Sequence, residues 1–160
     1  VSDPVEVRCA SVADLDLLVE LRLEYIRADL AELTGPQEAA IAAQLRMWIP
    51  ASLSVRFFAV LALVDQMPAS VAMLAVNEYP ANPRFPNGRV GTVLNVWTRP
   101  AHRRRGLATA LLREVIELGG RLGLSKLELL SSEAGQALYA GLGFVPSADD
   151  HLPMELCYYC

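Results

Sequence analysis

The stretch NVWTRPAHRRRGLAT at residues 95–109 decides how the rest of the chain is read. It has the form of a strand stopped by Pro100, an arginine-rich turn, and Gly106 opening an amphipathic helix. The first turn of a helix leaves backbone N–H groups without intrahelical partners, and the macrodipole adds partial positive charge there. Such an end accepts anions. Gly106 permits close approach of the backbone to a ligand, and Arg103, Arg104 and Arg105 add charge-assisted contacts.

Downstream, Leu107, Ala108, Leu111, Leu112, Val115, Ile116 and Leu118 fall on one side of a helix expected over residues 106–122. A strand over 126–130 follows, then a short helix over 133–142 stopped by Gly143, and last strands at 144–145 and 152–160. Upstream, residues 5–9 suit a first strand. Ser11 and Asp14 form an S-x-x-D start for a helix to about residue 31, with the stripe Leu17, Leu18, Leu21, Tyr25 and Ala28. Thr34–Gly35–Pro36 breaks it, and a second helix runs to about Ile49, ended by Pro50. Residues 55–64 and 70–78 are apolar β-branched runs joined by a turn at 65–68. Residues 79–89 form a loop, and 90–98 the strand leading into the arginine turn. The pattern predicts one α/β domain over residues 1–160, its central sheet covered by helices on both faces.

Composition bounds the function. The 160 residues are 53% hydrophobic and 20% charged with net charge −4, a globular profile with enough apolar material for a core. No apolar run spans a bilayer and no signal-peptide pattern opens the sequence, so a cytoplasmic protein with no membrane partner is expected. Cys9, Cys157 and Cys160 lack metal-ligand spacing and read as reduced thiols, with no metal site. Charge is segregated: residues 1–40 hold nine acids and three arginines, whereas residues 99–113 hold five arginines and no acid. One region suits a cation, the other an anion. A pI of about 5.2 argues against a nucleic-acid-binding face, and no Walker lysine follows Gly106. His102 and His151 read as surface residues, and Trp48 and Trp97 as packing residues.

Arg103-x-x-Gly106-x-Ala108 after a strand ending at Pro100 resembles the acyl-CoA signature of the GNAT superfamily of N-acetyltransferases. A second motif, SSEAGQALYAGLGF at residues 131–144, ends in Leu138–Tyr139-x-x-x-Gly143–Phe144 and is similar to that superfamily's other hallmark. The element order fits along nearly the whole chain. The resemblance implies a mixed, mostly antiparallel sheet of six to seven strands flanked by about four helices, with a splayed strand pair. It implies acetyl-CoA as co-substrate, its pyrophosphate on the N–H groups of Arg103, Arg104, Arg105, Gly106, Leu107, Ala108 and Thr109. Pantetheine would run beside the backbone of Val96 and Thr98, where the strand commonly opens at a bulge. The thioester would lie near Asn95, Val96 and Trp97, facing the strand that starts at Lys126. Arg104 stands where the family often has a small residue, so its side chain should point outward. Glu133 stands where many members have an asparagine that touches pantetheine, a contact Ser131 or Ser132 is left to make.

The implied reaction is direct transfer of an acetyl group to a primary amine of a small molecule or peptide. A backbone N–H at Val96 or Trp97 would donate to the carbonyl oxygen. Tyr139 is the candidate general acid, since an ordinary phenol (pKa ~10) stays protonated at neutral pH; the other reading is an aromatic packed on its helix. Glu78 is the candidate base, or else a solvated carboxylate at a strand end. Asn95 would hold a water or the acceptor, or be a satisfied interior amide. Glu24 and Tyr25, late in the first helix, would line the amine side. The alternative is a non-catalytic acyl-CoA-binding or regulatory module. An apolar C-terminal segment leaves a homodimer open.

Overall fold

The computed structural model describes residues 4–147, 154 and 156–158, in two compact units divided after Leu130. In the first, a five-stranded sheet has the order β1 (Val5–Cys9), β2 (Phe57–Val64), β3 (Met67–Glu78), β4 (Arg89–Thr98), β5 (Lys126–Glu128). Neighbours pair antiparallel except β4 and β5, which run parallel. The helices are α1 (Leu15–Tyr25), α2 (Gly35–Ser52), α3 (Leu107–Arg121) and, in the second unit, α4 (Gln136–Gly141). The expected α/β architecture, mixed sheet and four helices are present. The expected count of six to seven strands is not: five strands occur among the described residues. Phe144 and Val145 are irregular, because Phe144 turns its ring onto Tyr139 rather than extending a ladder. Most of the strand expected over 152–160 lies outside the described residues; Met154 and residues 156–158 are exposed and not in a strand.

Strand alternation sorts the core into two layers. Ala59, Leu61 and Leu63 of β2 and Val71 and Met73 of β3 join Leu18, Leu21 and Ile49 in one cluster, so α1 and α2 cover that face. On the other face α3 packs across β2, β3 and β4 through Leu107, Leu111, Leu112, Val115 and Leu118. Every residue of β2 except Phe58 is buried, as a strand covered on both sides requires. The stripe expected on α1 is too narrow. Val19 and Leu23 are also buried, whereas Ala28 is exposed, because α1 is wedged between the sheet and α2.

Local chemistry sets the boundaries. The start of the first helical stretch is pinned by Asp14, whose carboxylate accepts from the Ser11 N–H at 2.8 Å and from both terminal nitrogens of Arg8 on β1 at 2.8 and 2.9 Å. Those Arg8 hydrogen bonds hold the Asp14 carboxyl down at about 2. α2 begins with Thr34 and Gln37 capping each other, but it runs past Pro50 to Ser52 instead of stopping there. A proline in the last turn forfeits only one terminal hydrogen bond. The β2–β3 turn is just Asp65–Gln66, both with positive φ (49° and 63°), a geometry that matches the twist of the flanking strands. After α1 the chain makes a five-residue π-helical turn, Ile26–Leu30. No helix among the described residues is long and apolar enough to cross a membrane.

Gly88 has φ +74°, and a Cβ there would sit 2.2 Å from the Tyr79 carbonyl oxygen. Gly88→Ala is therefore expected to lower stability by about 1–3 kcal/mol in denaturant unfolding. Gly120→Ala, on an exposed helical position with nothing within 4 Å, should instead be neutral or raise it by up to about 1 kcal/mol. The Asp14 contribution has a definite sign. Its folded-state pKa lies below the ordinary 3.8, so its stabilisation is complete above about pH 4 and lost as pH falls toward about 2. Asp14→Asn should flatten the fall of the urea midpoint across that window.

Candidate functional site

β4 carries an extra residue against β3. Val71 pairs with Trp97 and Met73 with Leu94, so Ala72 alone faces both Asn95 and Val96. This is a β-bulge, and Asn95 takes the left-handed conformation it requires (φ +41°). Asparagine tolerates that region better than other side-chain-bearing residues, which gives its presence here a backbone reason. Asn95 is buried; its Oδ1 accepts from Arg22 Nη1 at 3.1 Å, and its Nδ2 has no partner among the described residues.

On its other edge β4 pairs with β5 only from Val90 to Thr92. Beyond Thr92 that edge has no strand partner among the described residues. The Arg99 N–H bonds the Ala69 carbonyl at 2.9 Å, which by alternation turns the main chain of Trp97 toward β3 and that of Val96 and Thr98 toward the open edge. The Thr98 carbonyl there accepts from Arg103 Nε at 3.1 Å. On the sheet face, Ser70 Oγ donates to the Trp97 carbonyl at 2.8 Å and lies 2.7 Å from Thr98 Oγ1, which anchors the strand end.

Arg99 fastens that end to α1. It donates to Glu24 Oε1 at 2.8 Å and to Pro68 O at 3.0 Å, and also reaches Glu20, while Trp97 Nε1 donates to Glu24 Oε2 at 3.0 Å. Burial pushes the Glu24 carboxyl up, but the hydrogen bonds from Arg99 and Trp97 together hold it below the ordinary range. Its carboxylate is thus engaged in structure.

After Arg99 come a single 3-10 turn, Pro100–His102, and the three arginines. Arg103 stacks on the Trp97 ring, its guanidinium carbon 4.9 Å from the centroid. Arg104 is exposed with φ +62°, in keeping with the outward side chain expected of it. Gly106 is the N-cap of α3 with φ +76° and ψ 6°, and a Cβ on it would meet nothing within 4 Å. The first intrahelical bond runs from Ala110 N to Gly106 O, so Leu107, Ala108 and Thr109 have no intrahelical acceptor, and no side chain caps them. The uncapped N–H groups at the positive helix end lie beside open space at Gly106, directly after a turn of three exposed arginines. The arrangement fits a phosphate or diphosphate group.

A cavity of about 220 Å³ opens between α1, α2 and the β3–β4 pair, lined by Arg22, Gln44, Leu45, Trp48, Ile49, Phe57, Met73 and Leu94. Burial lowers the Arg22 guanidinium from its ordinary value. The Tyr25 ring lies 5.6 Å from the Arg22 guanidinium carbon and edge-on to Trp97 at 6.5 Å. Glu78 is not brought to this place. It pairs with Arg89 at the opposite end of β3, five residues or roughly 16 Å along the strand from Met73. It is exposed and 3.8 Å from Arg89. That position argues against the direct base role expected of it. Arg22 and Arg99 carry no sequence signal of their own: each is one arginine on an ordinary element until the fold gives it neighbours. His102 is half-buried in the turn, and His151 lies outside the described residues.

In the second unit, Tyr139 sits half-buried on α4, its ring edge-on to Phe144 at 5.9 Å. Gly135 is one turn earlier, where an added Cβ would come within 2.9 Å of the Tyr139 ring. Gly143 ends the helix at φ +93° and brings Phe144 N within 3.1 Å of the Tyr139 carbonyl. The L-Y-x-x-x-G-F pattern is thus a compact device for holding one tyrosine. Ser131 and Ser132 are exposed ahead of it.

Residues 23–144 match the family model described as the acetyltransferase (GNAT) family. A GCN5-related N-acetyltransferase from Ralstonia eutropha superposes with a TM-score of 0.79 at 27% identity, over 94% of this chain and 99% of that one. A predicted acetyltransferase with acetyl-CoA from Clostridium acetobutylicum gives a TM-score of 0.79 at 22% identity, over 95% and 96%. A ribosomal-protein-alanine N-acetyltransferase from Brucella melitensis gives 0.70 at 18% identity, over 94% and 99%. No curated protein matches the chain.

The left-handed bulge residue yields a direct test. Asn95→Val should lose about 1–3 kcal/mol more stability than Asn95→Gly, since a β-branched residue is strained at this φ and glycine is not. Equal losses in denaturant unfolding would show that the bulge does not depend on that conformation.

Proposed function

The chain belongs to the acetyltransferase (GNAT) family, and from that premise we propose that it transfers an acetyl group from acetyl-CoA to a primary amine of a small molecule or peptide. The observation that carries this reading is the cradle at Gly106: a left-handed glycine facing empty space, beneath a helix end with unfilled N–H donors, beside the open edge of β4. The acetyl-CoA present with the similarly folded Clostridium protein supports the co-substrate. The family match continues across the division at Leu130, which supports treating residues 1–160 as one domain.

In this reading the main-chain N–H groups of Arg103, Arg104, Arg105, Gly106, Leu107, Ala108 and Thr109 hold the diphosphate, and the outward main chain of Val96 and Thr98 holds pantetheine. Bound acetyl-CoA supplies an acyl thioester, electrophilic at its carbonyl carbon. The outward N–H of Val96 donates to the carbonyl oxygen as negative charge gathers there. Trp97, turned toward β3, supports that N–H from behind. The acceptor nitrogen forms the new C–N bond as the C–S bond breaks. Its surplus proton leaves to water, since Glu78 is remote, and Tyr139 Oη gives its proton to the departing sulfur. Tyr25 lines the acceptor side, while Glu24 and Asn95 serve it by fixing Arg99 and Arg22. This assignment predicts real turnover, which separates it from a binding-only module.

Calorimetry should show acetyl-CoA binding, and free thiol should appear only when an amine is added. Gly106→Val should weaken acetyl-CoA binding about tenfold or more, because it fills the space in front of the N–H groups. Tyr139→Phe should lower kcat about 100-fold or more. No heat with acetyl-CoA would overturn the reading; full turnover in Tyr139→Phe would remove the tyrosine from the mechanism.

A further inference from the structure

The cavity between α1, α2 and the β3–β4 pair holds a charge the fold does not neutralise. Among the described residues no carboxylate pairs with Arg22; its contacts there are Asn95 Oδ1 at 3.1 Å and the Tyr25 ring at 5.6 Å. Three neighbouring arginines each have a carboxylate: Arg27 in the turn after α1 with Glu38 at 2.9 Å, Arg46 on α2 with Asp16 at 3.3 Å, and Arg99 just after β4 with Glu24 at 2.8 Å. The exception lines a cavity whose walls are otherwise mostly apolar: Leu45, Trp48, Phe57 and Leu94 among them. A half-buried guanidinium costs desolvation that an opposing carboxylate offsets, and its planar fork matches a carboxylate bidentately.

We propose that this cavity binds the amine acceptor and that Arg22 selects it, gripping the carboxylate of a small α-amino acid whose apolar side chain lies against Trp48 and Phe57. The proposal deepens the acetyl-transfer reading and rests on it for the reaction. Two features set the class. About 220 Å³ is below the range of drug-sized ligand sites and suits an occupant of amino-acid size. The hydrogen bond to Asn95 places the guanidinium beside the bulge, one residue from the Val96 N–H. A carboxylate held there keeps an α-amine within short reach of the reacting carbonyl, whereas a polyamine brings Arg22 only like charge and an aminosugar only neutral hydroxyl acceptors.

The test compares matched acceptors with and without the acid group: L-phenylalanine against phenethylamine, and L-leucine against 3-methylbutylamine. Each is measured by calorimetry and by acetyl-CoA-dependent thiol release. In the unaltered protein the amino acids should bind and turn over about tenfold or more better than their decarboxylated partners. Arg22→Gln should collapse that ratio toward one, chiefly through KM, and Arg22→Lys should retain part of it because charge survives without the fork. Decarboxylated amines that match or beat the amino acids overturn the proposal, as does a ratio intact in Arg22→Gln. Should Arg22→Gln fail to fold, the acceptor comparison in the unaltered protein still decides. The two readings fail separately. Acetyl-CoA binding and amine turnover without preference for the acid group sink only the Arg22 assignment. No acetyl-CoA heat sinks the reaction, while amino-acid calorimetry still reports on the cavity.

Discussion

A strand can leave its neighbour only by releasing main-chain donors and acceptors that folding would otherwise pair, and β4 does this at one place on both edges. Against β3 it bulges at Asn95–Val96; against β5 it goes unpaired after Thr92. The first event is local, set by a residue that accepts φ +41°. The second follows from the shortness of β5, three residues against the ten of β4. Together they turn a piece of sheet into a row of polar groups facing outward beside a helix N-terminus. Without the bulge the register would run straight through to Thr98, and Val96 would exchange its role with Trp97.

The surrounding charges serve that geometry. Arg99 and Trp97 both close on Glu24, tying the end of β4 to the end of α1. The hydrogen bonds that Arg99 donates to the Glu24 carboxylate raise its guanidinium above its ordinary value. This strut leaves the following arginines to point elsewhere. Arg22, two residues before Glu24 on the same helix, reaches the bulge instead and finds an amide where its neighbours find carboxylates. The two arginines at one strand–helix junction thus differ: Arg99 closes a structural ion pair, and Arg22 has no carboxylate partner among the described residues.

Much of this was legible in the residues. The helix stripe of α3, the Ser11–Asp14 start, the Thr34–Gly35–Pro36 break and the apolar β2 and β3 runs are short-range signals, and each lies where it was expected to within a few residues. Each departure has its own physical reason. Pro50 does not end α2 because only one terminal hydrogen bond was at stake, and α1 buries more than its stripe because α2 lies over it. Phe144 is not in a strand because its ring had a tyrosine to meet. Glu78 lies on the strand next to β4, but adjacency of strands says nothing about position along them; the register places it at the far end.

The sequence by itself determined the order of elements, the glycine that opens α3, the concentration of arginine before it and the tyrosine held between Gly135 and Phe144. These follow from periodicity, φ preferences and local charge, which act over a few residues. Only the tertiary structure decided which backbone groups of β4 lack a strand partner among the described residues, that Glu24 is consumed by Arg99, and that Arg22 lines a cavity where none of the described acids meets it. Those depend on contacts between residues some seventy positions apart, Arg22 with Asn95 and Glu24 with Arg99 among them, and no local pattern encodes which partner a buried charge will find.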